Sequence, residues 1–312
     1  MKLFDLHCDT ATRIFCDGVS LKDSYCHVSL DKAAKYDKYI QLTAIFTDTK
    51  LSDEEGWERF PAVRENLLAE CEKNGVRLIS TARELEEFES SDEKYAFILT
   101  VEDARILNGK LGRVRELYDM GVRVITPLWG GETVIGGSHD TSSGLSDFGR
   151  AAVDEMLSCG IIPDISHASF ASADEIIALA EAHGRVAFAS HSDAYSVNPH
   201  SRNLTDDRFV RIASRGGVAG VNLCRLHLTS DPEHAEISDV VKNTLCYKSL
   251  CPAAVALGCD LDGTDLPDGI EGVGDLYKIA DALRENGVDE GFIGDMFYNT
   301  AYRFMKDNLP TE

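Results

Sequence analysis

The chain has 312 residues, 44% of them hydrophobic, enough for a large buried core in one domain or two. Its 31 basic against 53 acidic residues leave a net charge of −22, a surface that repels phosphate backbones and anionic lipid, so nucleic acid and membrane surfaces are poor candidate partners. No stretch approaches the roughly 20 apolar residues that a spanning helix needs, and no basic region followed by a long apolar run opens the chain, so a cytoplasmic location is expected. The nine cysteines are odd in number and lack CxxC pairs, and most read as reduced, buried small hydrophobes. Cys8 and Cys259 adjoin candidate site residues, so they are expected to point the opposite way, into packing.

Eight short aliphatic and β-branched runs recur, each followed by a polar amphipathic stretch long enough for a helix. LFDLH (3–7) comes first, then YIQLTAIF (39–46), YAFILTV (95–101) and VRVITPL (122–128). GIIPDIS (160–166), RVAFAS (185–190), GVAGVN (217–222) and AAVALGC (253–259) complete the set. They are near-continuously apolar, as strands buried on both faces of a parallel sheet are. LSDFGRAAVDEMLSCG and SADEIIALAEAHG carry apolar residues at helical spacing and stop at Gly160 and Gly184. The acidic stretch EEFESSDEK reads as a solvated helix end. Eight β-then-α units without a linker, repeat or low-complexity tract predict one domain over residues 1–312, an α/β chain folded as a closed (β/α)8 TIM barrel.

Such barrels build their active sites at the C-terminal ends of the strands. Those positions hold His7 and Asp9 in DLHCDT, Glu102 after the third run, His167 in DISHAS, His191 in ASHSDA and Asp260 in GCDLDG. Residues i and i+2 of a strand share a face, so His7 and Asp9 aim at one point. Alone, each has a plain reading: a histidine after a strand is commonly a hydrogen-bonded loop residue, and a carboxylate there a helix N-cap. Together, three imidazoles and three carboxylates at one mouth are electrostatically costly without cations, and mixed nitrogen and oxygen ligands suit zinc or a related divalent ion. A catalytic zinc uses about three protein ligands. Six candidates therefore call for two ions, about 3.5 to 4 Å apart and bridged by a carboxylate, with Glu102 as the natural bridge. His27, His139, His183 and His234 read as structural, whereas His200 and His227 can reach the mouth from loops after the sixth and seventh strands.

In order along nearly the whole chain, DLHCDT, TVEDA, GVRVITPLW, GLSDFGR, DISHAS, ASHSDAYSVNPHSRNLTDD, GGVAGVN, GCDLDG and NTAYRF make the sequence similar to a known family. It resembles the zinc-dependent membrane dipeptidase (renal dipeptidase) family of metallopeptidases, amidohydrolase-like barrels, as a soluble member of bacterial type. The resemblance implies that His7 and Asp9 hold one zinc, that His167 and His191 hold the other, and that Glu102 bridges them. It further implies that Asp260 manages protons, that Arg202 receives the substrate's carboxylate, and that the protein is a homodimer. No position offers the carboxylated lysine of many related barrels, in agreement with a bridging Glu102. Two departures stand out: the family's glutamate is usually followed by glycine, here Asp103, and a carbonyl-polarising histidine of the animal enzymes is replaced by Trp129, as in bacterial-looking members.

The implied activity is a metal-dependent dipeptidase that cleaves dipeptides with a free C-terminal carboxylate by means of a metal-bridging hydroxide. The alternative is a related binuclear-metal amidohydrolase acting on another small substrate, such as an N-acyl amino acid or a lactone. A non-catalytic descendant of the fold would need lost ligands, and none is missing. A phosphoesterase acting on nucleic acid is opposed by the charge of −22.

Overall fold

In the computed structural model, which describes residues 1–311, seven of the eight apolar runs become parallel strands and a short eighth strand, Arg77–Leu78, lies outside them. These are β1 (Leu3–Cys8), β2 (Tyr39–Phe46), β3 (Arg77–Leu78), β4 (Tyr95–Glu102), β5 (Val124–Thr126), β6 (Ile162–Pro163), β7 (Ala219–Val221) and β8 (Val255–Leu257). The main path runs β6-β5-β4-β2-β1-β8-β7, with β3 paired to the start of β4. The opening between β6 and β7 is closed by the sixth predicted run. Phe188 pairs with Asp164 and Ala189 with Ala219, both parallel, and the Gly220 amide donates to the Ala189 carbonyl at 2.9 Å. The result is the expected TIM barrel.

The sequence-based boundaries differ in two respects. The fourth to eighth apolar runs are extended ladder over only part of their length or not at all: Pro163 offers no amide hydrogen to continue β6, and 185–190 forms isolated bridges instead of a ladder. β3 was not expected, because two residues are too few for a hydrophobic run to register. The two predicted helices form at Asp147–Cys159, ending at a left-handed Gly160 (φ 95°), and at Phe170–Ala182. The acidic stretch overlaps the end of the helix Ala82–Ser90.

Inside the barrel, Phe4, Leu6, Ile40, Leu42, Ala96, Ile98 and Phe188 form one buried cluster with Phe304 and Met305 of the C-terminal helix Thr300–Asn308. That helix plugs the N-terminal end, with the Phe188 and Phe304 rings 4.8 Å apart, and leaves the opposite end for polar groups. Burying each such aromatic contributes on the order of 1.5 to 3 kcal/mol. Cys8 and Cys259 are fully buried in the other apolar layer, as their positions predicted. All nine cysteines are free. Among the described residues no helix is long and apolar enough to cross a membrane.

Candidate metal centre

A bulge in β1 aims His7 and Asp9. Asp5 pairs with Gln41 but Cys8 pairs with Thr43, so β1 carries one residue more than its partner. Phe4 and Leu6 join the interior cluster, and the extra residue lets His7 face inward as well, with Asp9 two positions on. Asp5 faces away from the mouth, its carboxylate accepting from the Cys259 amide at 2.7 Å and from Gln41 Nε2 at 2.8 Å. Asp9 occupies the N-cap position of the helix Thr10–Asp17 yet makes no side-chain cap bond, and its Oδ1 is buried without a hydrogen-bond partner.

Three overlapping groups meet at the mouth: His7 with Asp9 and Glu102, Glu102 with His167 and His191, and His7 with His191 and Asp260. Glu102 belongs to two of them. Its Oε2 is 3.5 Å from His7 Nε2, and its Oε1 is 3.0 Å from His167 Nε2 and 3.4 Å from His191 Nε2. Asp9 Oδ2 is 3.5 Å from His7 Nε2, which is itself buried without a hydrogen bond. The His7 and His191 rings stack with centroids 3.8 Å apart.

The surrounding bonds set the tautomers. His167 Nδ1 faces the Trp129 carbonyl at 3.1 Å, an acceptor, so its proton is on Nδ1 and its Nε2 lone pair faces the mouth. The Ser190 hydroxyl donates to Asp164 at 2.5 Å and therefore accepts from His191 Nδ1 at 2.6 Å, which again leaves a lone pair on Nε2. Thr126 also donates to Asp164, at 2.6 Å, so Asp164 holds the Ser190 hydroxyl that orients the His191 ring. Burial and the charges of Arg202 and His7 hold the His167 and His191 imidazoles well below their ordinary range, in the neutral form that binds metal. Burial opposes protonation of His7, but Glu102 and Asp9 outweigh it and push that imidazole up. Orphaned buried donor atoms, the neutral His167 and His191 imidazoles and a shared carboxylate fit divalent metal.

Asp260 joins the group through the backbone. Its amide donates to the His7 carbonyl at 3.1 Å, and the Asp9 amide donates to the Leu261 carbonyl at 2.9 Å, which stitches the eighth strand's loop to the end of β1. Burial raises the Asp260 carboxyl well above the usual range, with Asp9 and Glu102 adding to the effect and His7 opposing it. Asp9 is raised to about 6, first by burial and then by Glu102. A β-carbon on Gly263 would lie 2.2 Å from Asp9 Oδ2 and 2.3 Å from Asp260 Oδ1, so only glycine lets both carboxylates occupy these places. Asp262 accepts from the His27 amide at 2.6 Å and donates its own amide to His27 Nδ1 at 2.9 Å, a structural use of His27 as expected.

Backbone strain concentrates here. His167, Asp260, Asp262 and Asp103 all have left-handed φ, at 66°, 55°, 67° and 69°. The value at Asp103 accounts for the glycine that the resemblance places there. Asp103 tolerates the conformation by accepting from the Arg105 amide at 3.2 Å and pairing with its side chain at 3.0 Å.

A cavity of about 410 Å³ opens over the centre, walled by Asp9, Glu102, His167, Asp260, Trp129 and His227 among others. Trp129 packs between Phe46 and His167, with ring centroids at 5.2 and 6.0 Å. Cys224, Leu226, Phe46 and Thr264 also line it, and nothing in their local sequence marks them as site residues. Arg202 does not line this cavity. It is buried, bonded to Ser192 Oγ at 2.8 Å and to the His191 carbonyl at 2.9 Å, and forms no ion pair with Asp206 or Asp207. His183 and His234 bond to Asp154 and Asp231 away from the mouth, whereas His139 sits nearer, its ring 6.0 Å from that of His167. His200 stays off the cavity wall but packs 5.0 Å from the His227 ring.

Known proteins share this arrangement of chain. A dipeptidase AC, described as a metallo peptidase of family M19, has a TM-score of 0.90 at 23% identity, covering 100% of this chain and 99% of the other. A metallo peptidase from Rhodobacter sphaeroides, liganded with a phosphinate mimic of the dipeptide L-Ala-D-Ala, also scores 0.90 at 23% identity, covering 99% of each chain. At these identities the likeness establishes the fold. An uncharacterized dipeptidase of Schizosaccharomyces pombe is 30% identical over 216 residues, 67% of this chain and 52% of the relative, so the chain spans about half the length of that relative. An uncharacterized protein in the pqqA 5' region of Klebsiella pneumoniae is 28% identical over 265 residues, 80% of this chain and 95% of the relative. The profile of the membrane dipeptidases, peptidase family M19, matches residues 1–309, through every segment that brings a ligand-type side chain to the mouth, and the chain belongs to that family.

Proposed function

We propose that the protein is a zinc-dependent dipeptidase that hydrolyses dipeptides with a free C-terminal carboxylate. The observation that carries this reading is the pair of neutral imidazoles, His167 and His191, turned with His7 and Asp9 onto one shared carboxylate, Glu102. His7, Asp9 and Glu102 would hold one divalent ion, and Glu102, His167 and His191 a second. When bound, such ions supply the positive charge that makes water acidic near neutral pH and that stabilises negative charge on a carbonyl oxygen.

The chain's own groups do the rest. Asp260, 3.9 Å from His7 Nε2 and with its carboxyl raised above the usual range by burial, takes a proton from the attacking water and delivers it to the leaving amine. Of the five N–H groups of a guanidinium, Arg202 commits two, leaving three, and its Nε is buried without a partner. Those uncommitted donors support its role as receptor of the substrate's carboxylate, which fixes the length and orientation of a short substrate. Trp129 offers an apolar wall beside His167. The test is turnover by metal-loaded protein of a panel of dipeptides, their C-terminal amides, N-acyl amino acids and lactones. Turnover of dipeptides over the rest upholds the reading; preference for a lactone or N-acyl amino acid replaces it with the alternative hydrolase.

A further inference from the structure

One nitrogen donor in the cavity wall has no place in the ligand set. His227 lies in the short helix Arg225–Leu228 after β7 and lines the cavity shared by Glu102, His167 and Asp260. Its Nδ1 faces the side chain of the fully buried Asn222 at 3.5 Å. The Cys224 amide donates to Asn222 Oδ1 at 2.9 Å, so the asparagine must present its NH2 group to His227 and to the His191 carbonyl. A donor facing Nδ1 requires a lone pair there, which puts the ring proton on Nε2. No protein acceptor among the described residues engages that N–H. Burial, reinforced by the charge of Arg202, keeps the ring neutral.

His227 is also fastened to the segment that carries Arg202. Its carbonyl accepts from Asn198 Nδ2 at 2.9 Å and from Asn203 Nδ2 at 2.8 Å. Asn222 and Arg202 share the His191 carbonyl as an acceptor. His227, Asn222 and Arg202 thus form one hydrogen-bonded unit, in which His227 lines the cavity and the charge of the buried arginine acts on its ring.

We infer that His227 donates its Nε2–H to the C-terminal carboxylate of the substrate, together with Arg202, and is a specificity-determining residue for that end. The inference rests on the dipeptidase reading above. A directed donor in the wall, backed by a buried cation, favours a carboxylate over an uncharged amide.

The test compares unmodified protein, His227→Phe and His227→Gln on one dipeptide and on its C-terminal amide, with metal content measured for each. His227→Phe is expected to raise KM for the free dipeptide by about tenfold or more, as for loss of a hydrogen bond to a charged group, with kcat and metal content near their original values. Activity on the amide should barely change, and His227→Gln, which keeps an N–H donor, should recover part of the loss. An unchanged KM in both variants, a loss confined to kcat, or an equal loss on the amide overturns the assignment. If the unmodified protein hydrolyses no dipeptide, the dipeptidase reading itself fails and takes this inference with it; dipeptide turnover with an unmoved KM in the variants sinks the inference alone.

Discussion

The Nε2 atoms of His167 and His191 stand 3.0 Å apart, with Glu102 Oε1 3.0 and 3.4 Å from them. Both rings spend their proton on Nδ1, so two lone pairs and a carboxylate oxygen converge with no hydrogen between them. Such a contact is repulsive on its own and becomes favourable around a cation.

Purified protein should therefore carry close to two divalent ions per chain by elemental analysis, and His167→Ala or His191→Ala should lower that number. Removing the ions should lower Tm, because Asp9, Glu102 and Asp260 then face one another uncompensated. Metal-free protein with full activity in chelator would remove the metal-centre reading.

Asp260→Asn should retain most of the metal and lose kcat by a factor on the order of 10² or more, as for removal of a proton-transfer group. Retained kcat would assign the proton to another residue.

Arg202→Met should raise KM for dipeptides, with metal content unchanged, by an amount equivalent to about 1.5 to 3 kcal/mol for a lost charged hydrogen bond. Dipeptide amides should be poor substrates already and insensitive to the change. Equal turnover of dipeptides and amides would exclude recognition of a free carboxylate.

Gly263→Ala adds a methyl group where Asp9 Oδ2 and Asp260 Oδ1 now lie, 2.2 and 2.3 Å from its position. Both carboxylates must move, so metal content and kcat should fall together while the far-ultraviolet circular dichroism spectrum stays unchanged. Full metal content with normal kcat would show that the carboxylates tolerate displacement.

His139 is held at about 4, against 6.5 for a free imidazole, first by burial and then by Arg202. The unfolded chain therefore binds this proton more tightly. The resulting penalty on the folded state is absent above pH 6.5 and grows as pH falls towards 4. His139→Asn should flatten the fall in Tm over that window relative to unmodified protein at the same metal content. Parallel Tm curves for the two proteins would show that His139 titrates as a free imidazole.

Much of this was legible in the chain. Eight near-continuous apolar runs at barrel spacing determined the fold class, since only strands covered on both faces read that way. The position of His7, Glu102, His167, His191 and Asp260 just after such runs marked one rim, because strand ends of a barrel converge. Period-two spacing also joined His7 to Asp9, but the same spacing would have put Asp5 beside them. Only the bulge in β1 separates them, turning His7 to the mouth and leaving Asp5 against Gln41 and the Cys259 amide. Likewise, nothing local to Asp164, Ser190, Asn222 or Gly263 marks its role. Each acts through a partner distant in sequence or in an adjoining strand or loop: Asp164 across 26 residues to Ser190, Gly263 against Asp9 from the opposite end of the chain. Side-chain type and periodicity are properties of a segment. Which lone pair faces which carboxylate is a property of closure, and the barrel supplies it by bringing the ends of β1, β4 and β8 to one mouth.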